Sequence, residues 1–95
     1  MKQFYVYIMA SRRNGTLYIV VTSDLIKRIW QHKEKNIEGF TCKYDVGLLV
    51  YFQIFESAEE AIKQEKRLKK YLRKDKIALI EKENPAWNDL YSSLL

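Results

Sequence analysis

Asn14-Gly15 constrains this chain more than any other pair of residues. Both tolerate positive φ, and they stand between two runs rich in β-branched and aromatic side chains. A β-hairpin is therefore the expected opening of the fold. The first run, residues 3–10, alternates Phe4, Val6 and Ile8 with Tyr5, Tyr7 and Met9; the second covers residues 16–22. A turn at Asn14-Gly15 alone pairs Tyr7 with Thr22, whereas a loop over Ser11 to Asn14 pairs Tyr7 with Tyr18. Either register leaves the two tyrosines on one face, because strand side chains alternate with period two.

Ser23 offers an N-cap, and Asp24 suits the positive end of a helix dipole. Leu25, Ile26, Ile29 and Trp30 follow at helical spacing, which predicts a helix over 24–35. Asn36 to Asp45 reads as a loop. A third strand is expected over 48–55, with Leu48, Val50, Phe52 and Ile54 on one parity and Leu49, Tyr51, Gln53 and Phe55 on the other. Both faces are largely apolar, so this strand is expected to be covered on both sides. Ser57 and Glu60 form a capping box opening a helix over 58–71, with Ala58, Ala61, Ile62, Leu68 and Leu72 as its apolar stripe. A further helix spans 74–83 through Ile77 and Ile80. Pro85 ends it, and Trp87, Leu90 and Tyr91 fold back as a short turn or helix. The order ββαβα plus a C-terminal helical segment makes a small α/β (α+β) fold, a three-stranded antiparallel sheet with helices packed on it. The 95 residues fit one compact domain, 1–95.

The formal charge is +5, a sign that favours a polyanionic partner. The excess is concentrated in a basic run over 63–76 containing Lys63, Lys66, Arg67, Lys69, Lys70 and Arg73, which suits phosphate contacts or a solvated helix face. Tyr71 beside it is placed to stack on a base. Cys42 is the only cysteine, so no intrachain disulfide and no cysteine-based metal site can form. That suits a reducing cytoplasm. No segment approaches the roughly 18 apolar residues a membrane span needs.

Three further constellations carry possible chemistry. The first is the tyrosine pair, which either packs or acts. The second is Arg28 and His32, four apart on one helix face, where a guanidinium can hold a phosphate and an imidazole can relay a proton. Asp24 extends that row. The third is Glu65, a carboxylate inside the apolar stripe of its helix between Ile62 and Leu68. An unpaired carboxylate there is costly and calls for a cation, a metal ion or a water-filled cleft, unless it reaches solvent and pairs with Lys69.

Taken in order, these residues resemble the GIY-YIG nuclease superfamily, most closely its small single-domain bacterial members, over essentially the whole chain. Tyr5-Val6-Tyr7 stands at the GIY segment and Tyr18-Ile19-Val20 at the YIG segment. Arg28 and His32 match the helix residues that follow, Glu65 the metal-binding glutamate, and Asn84 the C-terminal asparagine. The superfamily includes phage homing endonucleases, some restriction enzymes and a cleavage module of bacterial excision repair. The resemblance implies hydrolysis of DNA phosphodiesters with one Mg²⁺ or Mn²⁺ ion on Glu65. Tyr7 is the implied base, with Tyr18 as the other candidate, and Arg28 stabilises phosphate charge. Repair or processing of structured DNA is the implied setting, with a partner protein as a source of specificity. A free phenol has a pKa near 10, so it needs positive neighbours, for which Arg28, His32 and the metal are candidates.

One position departs from the pattern. Val20 stands where the family has glycine, adding a β-branched side chain beside the tyrosines. Valine suits a strand, so the fold is expected to survive while activity is at risk. The rival expectations are a nucleic-acid-binding module with an inactive site, and an interaction protein using Trp30, Trp87 and the C-terminus.

Overall fold

The computed structural model describes residues 2–34 and 46–95. The elements are β1 (Phe4–Ala10), β2 (Leu17–Thr22), α1 (Leu25–Lys33), β3 (Leu48–Phe55), α2 (Ala58–Lys69), α3 (Arg73–Glu83) and a 3-10 helix (Leu90–Leu94). The expected order and the antiparallel three-stranded sheet are both present, with β1 central in the order β2-β1-β3. The loop expected over 36–45, with Cys42 in it, and the last predicted residue of the first helix lie outside the described residues.

The period-two alternation of β1 sends alternate residues to opposite faces of the sheet. Val6, Ile8 and Ala10 pack with Ile19, Ala61, Leu68 and Ile80 beneath α2 and α3. Tyr7 and Met9 pack with Leu25, Ile29 and Leu49 beneath α1, joined by Leu90 and Leu94 of the 3-10 helix. Burial on both faces is what a central strand apolar on both parities requires.

The hairpin takes neither expected register. The last pair is Ala10↔Leu17, and Tyr7 lies opposite Val20. Ser11 closes the loop twice, donating its backbone N–H to the Thr16 carbonyl at 3.1 Å and accepting the Thr16 N–H on Oγ at 3.0 Å. Inside that closure Gly15 N–H donates to the Arg12 carbonyl at 2.9 Å, with Asn14 at φ 57°. A Cβ on Gly15 would sit 2.3 Å from Ser11 Oγ, which is why the loop needs glycine there. The Ser11 side chain thus adds a closing bond that turn propensity alone does not foresee.

Other sequence expectations shift as well. Asp24, not Ser23, caps α1, accepting the Lys27 N–H on its side chain. The buried face of α1 is Leu25, Ile29 and His32, while Ile26 and Trp30 are 44% and 48% exposed. An aromatic–imidazole face on the sheet therefore displaced the purely apolar stripe. In β3 the alternation breaks at a bulge: Ile8 pairs with Tyr51 but Met9 with Leu49. The extra residue puts Val50 and Tyr51 in the same core cluster and Leu49 and Phe52 in the other. Ser57 caps α2 as predicted, its Oγ accepting the Glu60 N–H at 3.4 Å. That helix stops at Lys69, and Leu72, assigned to its stripe, is 63% exposed.

Candidate active site

Tyr7 stands in the middle of the central strand with no exposed surface. Its Oη lies 3.0 Å from Nε2 of His32, which α1 carries to the same face of the sheet and which is 2% exposed. Tyr18, on β2, meets the His32 ring edge-on with centroids 5.7 Å apart. The two tyrosines thus share one face, and the histidine bridges them. Arg28, one turn before His32, is half-buried, and its Nη1 donates to Gln31 Oε1 at 3.4 Å. Gln31 was not foreseen as part of this group, although its spacing of three from Arg28 made the contact readable.

Burial sets the charge state of this cluster. Loss of water pushes the Tyr7 phenol up to about 12, against a smaller downward pull from the charge and hydrogen bonding of the Arg28 guanidinium. The charge of Glu65 adds the smallest upward push. Burial, and then repulsion by Arg28, hold the imidazolium of His32 down to about 4. At neutral pH His32 is therefore uncharged. The expectation that it would supply positive charge to Tyr7 is corrected, and Arg28 is the protein's own cation at the phenol.

Glu65 sits between the buried Ala61 and Leu68 with 15% of its side chain exposed, and Lys69 Nζ lies 3.7 Å from Oε2. Among the described residues no three His, Cys, Asp or Glu side chains gather into a metal cage. One carboxylate with an exposed lysine beside it still fits a hard divalent ion, which often takes one or two carboxylates and completes its shell with water and phosphate. Val20 lies directly across from Tyr7 and packs in the same cluster. Its side chain stands where a glycine would leave the phenol more open.

Asn84 is buried and stands apart from this cluster in its bonding. Its Nδ2 donates to the Val50 carbonyl at 3.1 Å and to the Asn88 carbonyl at 2.9 Å, and its Oδ1 accepts the Asn88 N–H at 3.0 Å. These bonds fix the turn in which Trp87 adopts φ 57°, a conformation unfavourable for a bulky residue. Asn84→Ala is expected to cost about 2 kcal/mol, because three bonds vanish and buried backbone groups lose partners. Urea unfolding measures it; an unchanged midpoint would assign Asn84 no structural role. Asp89, also unforeseen, ties three elements together. Its carboxylate pairs with Lys33 of α1 and accepts the Leu49 N–H at 3.2 Å, and Lys33 also donates to the Gly47 carbonyl at 3.0 Å.

The basic run divides. Lys63, Lys66, Arg67 and Lys70 line one open depression with Tyr71. Lys69 turns to Glu65, and Arg73 Nη2 donates to the carbonyls of Asn14 and Gly15, both at 2.6 Å, gripping the hairpin loop. Among the described residues no helix is long and apolar enough to cross a membrane.

Comparison with known proteins gives a consistent picture. The profile of the GIY-YIG catalytic domain matches residues 3–78. A UPF0213 protein of Staphylococcus saprophyticus is 32% identical over 80 residues, 84% of this chain and 96% of the relative. A UPF0213 protein of Clostridium perfringens is 39% identical over 80 residues, 80% of this chain and 81% of the relative. The solution structure of a UPF0213 protein from Bacillus halodurans superposes with a TM-score of 0.57 at 28% identity, covering 92% of each chain.

Proposed function

The chain belongs to the GIY-YIG catalytic domain family, and from that membership we propose that it is an endonuclease hydrolysing phosphodiesters of DNA at the Tyr7–His32–Arg28 cluster. A bound Mg²⁺ or Mn²⁺ on Glu65 would act as a Lewis acid on the leaving oxygen. The observation that carries the proposal is the 3.0 Å contact between Tyr7 Oη and an uncharged His32 Nε2. In the tautomer with the proton on Nδ1, Nε2 accepts from the phenol. Tyr7 can then take a proton from the attacking water while passing its own to His32. No free phenolate has to form, which matters for a phenol raised to about 12. The water oxygen bonds to phosphorus, the bond to one sugar oxygen breaks, and that oxygen takes a proton from solvent. Arg28, half-buried and permanently charged, stabilises the negative charge that builds on the phosphate. Tyr18 and Asn84 have supporting roles, the first packing the His32 ring and the second fixing the turn after α3. Structured DNA in repair or processing is the setting we favour, with specificity aided by a partner protein.

A second reading has its own observation. Tyr7 has no exposed surface and Val20 lies opposite it, so the phenol is shielded from water and phosphate alike. On that reading the cluster is intact but occluded, and the domain binds nucleic acid without cutting it. A nicking assay with Mg²⁺ or Mn²⁺ on duplex, flap and single-stranded DNA separates the two. For an active site we expect cleavage by the native chain and at least a tenfold loss, to order of magnitude, in Glu65→Ala. Cleavage only after Val20→Gly identifies the occluded state. Cleavage unchanged in Glu65→Ala would remove the proposed metal ligand, and no cleavage from either background would sink the nuclease proposal.

A further inference from the structure

A depression on α2 is lined by Lys63, Lys66, Arg67, Lys70 and Tyr71. Its four cations recur at the i, i+3, i+4, i+7 spacing of one helix face, and all four are exposed. Ala61 and Leu68, fully buried, mark the opposite face, and the poorly exposed Glu65 lies between them. A helix with its side chains is about 10 Å across, so one phosphate cannot touch both Glu65 and these cations. Among the described residues no carboxylate lines the depression, while Lys69 and Arg73 are drawn off to Glu65 and the hairpin loop. Tyr71 packs against the core cluster and presents its remaining surface to the depression, which holds the ring as a fixed platform among positive charges.

We propose that this outer face of α2 is a second nucleic-acid site, anchoring an unpaired strand through its phosphates with a base stacked on Tyr71. Charge complementarity selects a polyanion, and an accessible ring within the cationic patch selects one with an exposed π-face. A membrane surface fits less well, since a helix lying in a bilayer interface needs a free apolar face and the Ala61–Leu68 face of α2 is used by the core. The anchor rests on the nuclease proposal only in taking a nucleic acid as the substrate. It holds one stretch of the substrate while another reaches the Tyr7–His32–Arg28 cluster.

The test is fluorescence anisotropy of a labelled single-stranded oligonucleotide and of its duplex, titrated with salt, using the full chain in EDTA so that no cutting intervenes. Combining Lys66→Ala, Arg67→Ala and Lys70→Ala should flatten the log–log salt slope for the single strand by about two, at about 0.7 for each lost phosphate contact. Tyr71→Leu should weaken single-strand binding by about tenfold and spare the duplex, and Tyr71→Phe, which keeps the ring, should bind as the native chain does. An unchanged slope in the triple variant overturns the anchor. Equal losses for both DNAs in Tyr71→Leu overturn the stacked base, and displacement of the oligonucleotide by phosphatidylserine vesicles overturns the choice of partner. Failure of the two proposals is separable. A chain that never nicks but loses strand affinity in these variants keeps the anchor without the nuclease; one that nicks with strand binding untouched does the reverse.

Discussion

Tyr7→Phe is expected to lower cleavage by about 10²- to 10⁴-fold, measured in whichever background cuts, native or Val20→Gly. The substitution removes one oxygen from a side chain that is otherwise wholly packed, so the ring keeps its place in the core. What disappears is the group that links the attacking water to His32 Nε2. The same change removes the hydrogen bond between Tyr7 Oη and His32 Nε2, at a cost of about 1–3 kcal/mol. Thermal unfolding must therefore accompany the kinetics, and the loss of rate counts only where the variant is still folded at the assay temperature. Tyr18→Phe is the contrast. Tyr18 reaches the His32 ring through an edge contact that phenylalanine keeps. If Tyr7→Phe cuts normally and Tyr18→Phe does not, the roles of the two tyrosines are exchanged and the relay through His32 is wrong.

Stability should fall steeply as the pH drops from about 6.5 to about 4. His32 is the only histidine, and folding lowers its pKa from 6.5 to about 4. The sign follows from which state binds the proton. Between those values the unfolded chain takes up a proton that the folded chain refuses, so stability rises with pH across the window. The contribution is fully present above 6.5 and is lost as pH falls through the folded value. A shift of this size on a residue 2% exposed corresponds to about 3 kcal/mol. For a domain this small, that is a large fraction of the total. Urea unfolding followed at several pH values measures it. His32→Gln, which cannot take up the proton, should flatten the profile within the window. A native profile already flat between pH 4 and 6.5 would show that the imidazole is hydrated or charged in the fold.

Both expectations concern a histidine whose importance was only half legible in the sequence. Its spacing of four from Arg28 placed the two on one helix face, and the glycine after Asn14 placed two tyrosines on one sheet face. Local periodicity carries that much, because a strand repeats every two residues and a helix every 3.6 or so. The burial of His32 was not legible. Ile26 and Trp30 look like better core residues, yet they are the ones left exposed. The choice was made by packing: rotating α1 to set His32 against Tyr7 and Tyr18 gives the imidazole a hydrogen bond and two aromatic neighbours.

The sequence by itself determined the element order, the antiparallel hairpin, the two-sided burial of the sheet, and the ordered set of side chains from Tyr7 to Glu65. Each follows from local chemistry: turn residues that accept positive φ, alternation, and helical spacing. Tertiary structure alone decided the register that sets Val20 across from Tyr7, because the Ser11 closure competes with the turn. It also decided the bulge that breaks the parity of β3 and the division of the basic run between a hairpin grip, a partner for Glu65 and an outward-facing patch. Such outcomes depend on which atoms meet across long separations in the chain, and a charge or hydroxyl carries no sign of its partner until the fold brings that partner near.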